Sequence, residues 1–205
     1  MTTIVKRKFR VSRLMRASLW GSAKDPVNKR NYGPGQHGRT PSRRVSNFNR
    51  QNAAQRAFRS YYNIGKRQFS NIFYRAYKGK GNTNDNLVAL LERRLVSVLY
   101  RSGLVPTIFA AKQVVSHKHV TVNDKVVNIS SYTLKEGDVV KMRQKSLKIP
   151  FVANPVQSAS DAPGYLEVDS EKKSVKLLVY PKFSDVPYPA LMEPNLVTEY
   201  FSSKI

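Results

Sequence analysis

Apolar residues recur at spacings of three and four in two stretches of the chain that are separated by Gly65. A period near 3.6 is typical of amphipathic helices, so the pattern predicts two consecutive helices. Their other faces carry mostly Arg and Lys. The apolar positions are Phe58, Tyr61, Tyr62, Phe69, Ile72, Phe73, Ala76 and Tyr77.

A stripe of Leu and Val at the same spacing predicts a further helix that ends at Gly103. Asn84 or Asp85 suits the N-cap position of this helix. Thr107, after Pro106, can begin a second short helix whose small inward side chains allow close packing. The stripe consists of Leu87, Leu90, Leu91, Leu95, Val98 and Leu99, and the inward positions of the second helix are Ala110, Ala111, Val114 and Val115.

The period of the apolar residues changes to two after His119, which predicts strands. Residues 120–122 alternate in this way, and Asn123-Asp124 predicts a hairpin turn. The tail ends in a Pro-rich loop and a short amphipathic segment, NLVTEYFS. Further strands are predicted at residues 139–142 and, as a hairpin, within residues 165–180.

Residues 1–47 are sparse in apolar side chains and rich in turn-forming residues. Such a segment cannot bury enough apolar surface to offset its ordering entropy, so we expect an extended basic arm that orders only against a partner. Three further regions follow in an α+β chain. They are a helical lobe at 48–91, a mixed domain at 92–150, and a C-terminal hairpin and closing segment at 151–205 that we expect to pack on both lobes.

The chain of 205 residues has a formal net charge of +23, which indicates a polyanionic partner. Residues 1–80 hold 20 Lys and Arg against one acid, and residues 81–150 hold 11 against 5. Residues 151–205 hold 5 against 7. The positive charge is therefore concentrated at the N-terminal end.

Several functional classes find no support in the composition. The chain has no Cys, which excludes disulfides and thiolate zinc sites, and no apolar run approaches the roughly 20 residues of a membrane span. Carboxylates are few and scattered, so we expect no enzyme. The acid-free run from Lys6 to Arg16 has the composition of a mitochondrial targeting peptide, but the same composition continues to residue 80, and we assign it to the mature protein.

The succession LLERRLVSVLYRSGLVPTIFAAKQVVSHKHVTVNDKVVNISSYTLKEGDVVKM resembles the RNA-binding domain of the S-four family of small-ribosomal-subunit proteins. Upstream, NKRNYGPGQHG is similar to that family's Tyr-Gly-Pro-Gly-Gln-His-Gly element. DVPYP and NLVTEYFS continue the likeness toward the end of the chain. The resemblance covers nearly the whole sequence in the family's order.

This resemblance implies an alpha-L type domain, in which two short helices pack on a small, mainly antiparallel sheet. It implies a structural constituent of the small ribosomal subunit that binds the 5′ domain of the ribosomal RNA at a helix junction and nucleates assembly. It further implies a position that lines the mRNA entry region and contacts the S-five protein. We expect no cofactor, no membrane and no homo-oligomer.

Basic and neutral polar side chains on the domain are candidates for binding phosphates and 2′-hydroxyls. If the first helix stood alone, its arginines would fit a solvated face equally well. His117 and His119 lack the further ligands of a metal site, so we expect hydrogen bonding at an RNA surface or packing on the fold. The candidates are Arg93, Arg94, Arg101, Lys112, Gln113, His117, Lys118, His119, Thr121, Asn123 and Lys125.

The arm and the helical lobe supply a second set of candidates. The GPGQHG loop lacks the Lys-Ser/Thr ending of a P-loop, and it is either a plain turn or a loop that follows an RNA backbone. Trp20 has no obvious protein core, so stacking on a base or lodging in an RNA groove is expected. The set is Lys6, Arg7, Arg10, Arg13, Arg16, Trp20, Lys29, Arg30, Tyr32, Gln36, His37, Arg39, Arg43, Arg44, Arg56 and Arg59.

Among the aromatic residues of the helical lobe, core packing is favoured over base stacking, and Tyr74 is the best candidate to face RNA. The chain departs from the family pattern in three ways. It lacks the cysteine cluster of some members, which places it with the zinc-free type. It also has Asp124 and Lys118 where family members usually have Gly, so we expect another turn type at Asp124 and an extra positive charge beside His117.

Two other classes fit less well. An RNA-modifying enzyme with this domain as an appendage needs a catalytic domain larger than the remaining 55 residues. A free-standing ribosome factor does not explain the long basic arm. YLEVD, DVPYP and MEPNLV resemble the alphaproteobacterial form, which is also ancestral to mitochondrial ribosomes. An Asn-, Lys-, Ser- and Tyr-rich composition then favours a mitochondrial location over an alphaproteobacterial cytoplasm.

Overall fold

A computed structural model describes residues 8–40, 45–149, 162–169 and 171–203. Its helices are α1 (Arg10–Met15), α2 (Asn47–Tyr61), α3 (Lys66–Lys78), α4 (Thr83–Glu92), α5 (Leu95–Arg101), α6 (Ile108–Ser116) and α7 (Pro194–Ser202). Its strands are β1 (Val120–Val122), β2 (Lys125–Val126), β3 (Val139–Met142), β4 (Leu166–Asp169) and β5 (Ser174–Leu177). The predicted α+β class is confirmed.

The contacts divide the chain into two compact units. The first contains Met1–Asn84 and Tyr188–Ile205, and the second contains Asp85–Pro187. The closing segment therefore belongs to the first unit, whereas the β4–β5 hairpin belongs to the second.

The two helices predicted on either side of Gly65 are confirmed as α2 and α3. Ser46 accepts a hydrogen bond from the backbone N–H of Asn49 and so caps α2. The end of α2 is closed by Asn63, whose φ of 51° is left-handed and tolerated by Asn. Helix α7 packs on α2, and the ring of Phe201 stacks on that of Phe73 at 4.4 Å between centroids. The aromatic stripe is thus largely core.

The described part of the basic arm differs from the expected extended segment. It forms α1 and two short 3₁₀ turns, Pro26–Asn28 and Gln36–Arg39, and α1 contacts α2. Leu19 and Val27 are buried. These isolated apolar residues have no regular period, so the hydrophobic pattern did not reveal that they pack within the first unit.

The single helix predicted by the leucine stripe is wrong, because the chain breaks between α4 and α5. Arg94 is extended, with φ −67° and ψ 137°. The backbone there pairs with a distant segment: Leu95 N–H donates to the Tyr132 carbonyl, and Leu134 N–H donates to the Arg93 carbonyl, both at 2.9 Å. The helix also begins two residues early, since Asn82 Oδ1 accepts from Asn84 N–H at 2.9 Å.

The second helix of the domain begins as predicted. Thr107 Oγ1 accepts from the backbone N–H of Ala110 at 3.1 Å, which confirms Thr107 as the N-cap of α6. Helices α5 and α6 pack against each other through their apolar faces.

The five strands form one sheet in the order β2-β1-β3-β5-β4, and every pairing is antiparallel. Alternate side chains such as Val120, Val122 and Val140 are buried. The predicted turn at Asn123-Asp124 is confirmed, but the expectation of another turn type is wrong. Both residues have positive φ, 47° and 63°, which is the pattern of a type I′ turn, so Asp124 takes the conformation that Gly usually takes.

Candidate nucleic-acid interface

Arg101 is a structural residue, and its prediction as an RNA ligand is corrected. Its guanidinium forms a salt bridge with Glu92 at 3.0 Å and also donates to the Pro187 carbonyl at 2.9 Å. Tyr165 donates its hydroxyl hydrogen to the same carboxylate at 3.1 Å. Arg101 is 8% exposed, and its guanidinium already has an anion, the Glu92 carboxylate, so it does not require an external phosphate. It fastens the end of α5 to later segments of the second unit.

Arg94 has a similar degree of burial and a different environment. It is 7% exposed, and its one described hydrogen bond, from Nη2 to the Ser130 carbonyl, is long at 3.5 Å. No carboxylate among the described residues forms an ion pair with it. Burial lowers the pKa of Arg94 to about 10, because the charged form has lost water without gaining an anion.

Lys112, on α6, lies within the electrostatic reach of Arg94. Burial lowers the pKa of Lys112, and the positive charge of Arg94 lowers it further. Two cations that disfavour each other in a partly dry site are stabilised by an anion placed between or beside them. The pair has the chemistry of a phosphate site, which Arg grips through its forked donors and Lys as a point charge.

Arg93 is half-buried and held by the fold. Its Nε donates to the Leu134 carbonyl at 2.9 Å, and its guanidinium lies 3.9 Å from the centroid of the Tyr180 ring. The side chain thereby supports the break between α4 and α5. Its predicted contact with RNA stays a prediction.

The C-terminal end of α6 presents several predicted residues together. Gln113, His117 and Lys118 are exposed there. Lys118 has a φ of 62°, and its N–H donates to the Val115 carbonyl while His119 N–H donates to that of Val114. This pair of bonds is the Schellman closure, which normally uses Gly at the position of Lys118.

His119 is partly committed to the fold, because the Ser146 hydroxyl lies 2.9 Å from its Nδ1. Its ring centroid is 6.0 Å from that of His117. Within the described ranges, no group of three or more His, Asp or Glu side chains is arranged to hold a metal ion.

Two of the neutral polar side chains that were predicted to bind RNA, Thr121 and Asn123, form hydrogen bonds within the β-sheet of the second unit. Asn123 donates from Nδ2 to Asp138 at 2.8 Å and accepts from Val139 N–H at 3.0 Å, so its amide locks the turn. The Thr121 hydroxyl donates to the Lys141 carbonyl at 3.4 Å. Lys125 is exposed and remains available to solvent. Asn123 therefore has a structural role that the sequence did not indicate, and its contact with RNA stays a prediction.

In the first unit, the GPGQHG loop is anchored from the arm. Arg13 donates to the carbonyls of Tyr32 and Gly33 at 3.3 and 2.8 Å. A hydrogen bond from Arg39 lowers the pKa of the Tyr32 hydroxyl. A Cβ on Gly38 would lie 1.9 Å from the Gly33 carbonyl oxygen, so the loop closes on itself and is not a plain flexible turn. Arg13 is committed to this closure.

Trp20 also packs within the protein. Its Nε1 donates to the Tyr61 carbonyl at 3.3 Å, and its ring meets that of Phe9 edge to face. The expectation that it stacks on a base or lodges in an RNA groove is corrected, because the indole packs within the protein. No local pattern indicated that Tyr61 would lie beside it. Exposed predicted residues in this unit are Arg10, Arg16, Lys29, Arg30, Gln36, His37, Arg39 and Arg56, while Lys6, Arg7, Arg43 and Arg44 lie outside the described residues.

Arg59 is half-buried on α2. Burial lowers its pKa, and the neighbouring charge of Arg56 lowers it further, while Tyr200 acts in the opposite direction. Its Nε is buried and has no described hydrogen-bond partner. Arg59 is thus a second position, after Arg94, at which a guanidinium is dehydrated without a carboxylate.

The structure adds basic residues that the sequence prediction omitted. Arg143, Lys145 and Lys148 lie on a turn beside the C-terminal end of α6, and Arg143 Nη1 donates to the Lys118 carbonyl at 2.9 Å. An acid-free run from residue 139 to 149 was the available clue.

Among the helices that the structure describes, none combines the length and the apolar character that a bilayer span requires.

Comparison with known proteins gives a consistent result over the whole sequence. Residues 5–92 match the family described as Ribosomal protein S4/S9 N-terminal domain, and residues 93–140 match the S4 domain. The chain is 70% identical to small ribosomal subunit protein uS4 of Neorickettsia sennetsu over 205 residues, which is the full length of both. It is 55% identical to that of Wolbachia pipientis wMel over 98% of this chain and 100% of the relative, and 54% identical to that of Ehrlichia chaffeensis over 97% and 99%.

Proposed function

Because the chain belongs to the uS4 family of small-ribosomal-subunit proteins, we propose that it binds the 5′ domain of the small-subunit ribosomal RNA directly and organises a helix junction there. Membership makes it a structural constituent of the small ribosomal subunit and not an enzyme. Binding at the junction nucleates assembly of the subunit.

The observation that carries this proposal is the buried guanidinium of Arg94. It is dehydrated, it has no described carboxylate partner, and Lys112 lies close enough for their charges to interact. A phosphodiester supplies the missing anion and two acceptor oxygens in the plane of the fork. Phosphate binding therefore restores the interactions that burial removed.

Exposed cations around this site extend the contact over a larger area. Lys118 and His117 lie at the end of α6 and Lys125 lies on β2, all within the second unit. Phosphate neutralisation releases counterions, so binding is fast and weakens with salt. The rigid helices and strands then select the shape of the folded RNA.

Position at the mRNA entry region and contact with the S-five protein are part of the proposal and are supported by the family resemblance. The relatives are bacterial, which favours a bacterial ribosome. None of them supports the mitochondrial location expected from composition. We further propose that the protein is not a homo-oligomer.

Filter binding with two transcripts tests the proposal. Purified protein is titrated with the 5′ domain of the small-subunit RNA and with a 3′-domain transcript of equal length, each over a series of salt concentrations. We expect tighter binding to the 5′ domain at every salt concentration, because shape selection adds to the shared electrostatic term. Equal affinity for both transcripts contradicts the proposal.

Sedimentation separates a resident protein from a transient factor. Tagged protein should remain with small subunits in stoichiometric amount after a high-salt wash. Loss of the protein at the same salt concentration that strips initiation factors contradicts residence.

A further inference from the structure

A basic turn lies just after the matched S4 domain, which ends at residue 140. It runs from Arg143 to Lys148 and contains the 3₁₀ segment Gln144–Ser146. Ser146 N–H donates to the Arg143 carbonyl at 2.8 Å, and Leu147 N–H donates to the Gln144 carbonyl at 3.1 Å. These bonds give the turn a defined conformation.

The turn is also fastened to the end of α6. Arg143 N–H donates to the His119 carbonyl at 3.0 Å, and its Nη1 donates to the Lys118 carbonyl at 2.9 Å. Ser146 is fully buried, and its hydroxyl lies 2.9 Å from Nδ1 of His119. The turn and the end of α6 are therefore one rigid surface.

Charge on this surface is of one sign. Residues 139–149 contain Lys141, Arg143, Lys145 and Lys148 and no acid. Lys141 pairs with Asp124, whereas neither Lys145 nor Lys148 forms an ion pair with a described carboxylate. Both of these lysines are exposed.

The end of a helix carries partial negative charge, which would repel a phosphate. Here Lys118 and Arg143 place positive charge at the end of α6, so the repulsion is offset. We propose that the turn from Arg143 to Lys148 binds the RNA phosphate backbone, as a continuation of the surface formed by His117 and Lys118. This inference rests on the proposed function and extends the interface beyond the S4 domain.

Paired lysine substitutions test the inference quantitatively. Lys145→Ala with Lys148→Ala is compared with Lys172→Ala plus Lys176→Ala, which removes the same charge from the β4–β5 hairpin. Asp169 lies 3.8 Å from Lys172, and Glu167 lies opposite Lys176 in the β4–β5 register. The slope of log K against log salt is negative, and two lost phosphate contacts should make it less steep by about 1.8 for the first variant on a duplex. The control variant should leave the slope close to that of the wild type.

Equal slopes for the two variants overturn the inference, provided that wild-type protein still prefers the 5′-domain transcript. Failure of that preference overturns the proposed function instead. The two failures are therefore distinguishable in one experiment.

The absence of native Cys allows an independent test by directed RNA cleavage. Single-cysteine variants Lys145→Cys, His117→Cys and Lys172→Cys are each labelled with an iron chelate that generates hydroxyl radicals. The probes at 145 and 117 should cleave overlapping nucleotides of the bound 5′-domain transcript, while the probe at 172 should not cleave there. Cleavage from 117 without cleavage from 145 contradicts the inference.

Discussion

Arg94 and Arg101 lie at opposite ends of α5 and are almost equally buried, yet they have opposite surroundings. Arg101 meets the Glu92 carboxylate, the Tyr165 hydroxyl near it and the Pro187 carbonyl. Arg94 donates one long hydrogen bond, of 3.5 Å, to the Ser130 carbonyl, and its charge is close enough to that of Lys112 for the two to repel. One arginine completes the protein's own hydrogen bonding, and the other lacks an anion.

The difference shows how a structural arginine is distinguished from a ligand-binding one. Burial alone does not separate them, because both have lost water. The two arginines differ in whether a carboxylate lies beside the guanidinium. A dehydrated guanidinium without a carboxylate lowers the stability of the fold, and an external anion restores that stability. Substitutions at the two positions should therefore change stability in opposite directions.

The largest effect is expected at Arg101. Arg101→Ala leaves the Glu92 carboxylate buried and unpaired, which should lower the free energy of unfolding by about 3 to 5 kcal/mol. Urea denaturation followed by circular dichroism measures this change. The double variant Glu92→Leu with Arg101→Met should recover most of the loss, because no charge stays buried; no recovery contradicts the assignment of the pair.

Arg94→Met should have the opposite effect on stability. Removing an uncompensated buried cation should raise the free energy of unfolding by about 1 to 3 kcal/mol. Binding to the 5′-domain transcript should weaken by about 1.5 to 3 kcal/mol, because charged hydrogen bonds to phosphate are lost. Calorimetry and filter binding measure the two quantities; a variant that loses stability and keeps its affinity contradicts the phosphate site.

Lys112 should act together with Arg94, because the positive charge of Arg94 lowers its pKa. Lys112→Met alone and combined with Arg94→Met completes a double-mutant cycle for RNA affinity. If both hold one phosphate, the two losses should be non-additive by at least about 0.5 kcal/mol. Lys112→Met combined with Arg101→Lys provides the comparison cycle, in which additivity is expected.

The smallest expected change in the free energy of unfolding comes from backbone strain at Lys118 and not from a buried charge. Lys118→Gly should raise the free energy of unfolding by about 0.5 to 1 kcal/mol, because Gly takes a positive φ without steric cost. It should also weaken RNA binding through loss of one charge. Lys118→Ala is the control, since it removes the charge and retains the strained backbone. Equal thermal stability of the two variants would show that the positive φ at position 118 carries no strain.

Helices α2, α3 and α6 were predictable because their apolar residues keep a local period, and the cap of α6 at Thr107 is local as well. The break at Arg94 was not, because the leucine stripe continues across it in phase and the competing partners, Tyr132 and Leu134, lie far along the chain. The antiparallel strands followed from alternation and turn residues. Pairing of β3 with β5 depends on tertiary contacts instead.

The sequence allowed candidate RNA-binding residues to be predicted by their type, but it did not separate those that bind a ligand from those that hold the fold. Arg94 and Arg101 carry the same side chain at helical spacing, and only the fold reveals that Glu92 and Tyr165 reach one of them. Trp20 looked unpartnered because Tyr61 is distant in sequence. The turn at residues 143–148 was overlooked because it follows the strand where the recognisable pattern ends.

The closure of the GPGQHG loop has a consequence for genetics. A Cβ at position 38 would lie 1.9 Å from the Gly33 carbonyl oxygen, and every single-base change that alters a glycine codon without stopping translation introduces a Cβ. No missense allele of this codon can keep the loop closed. A saturation screen for growth should therefore recover only synonymous codons at position 38, whereas position 65, where φ is −71° and nothing lies near a Cβ, should tolerate Ser.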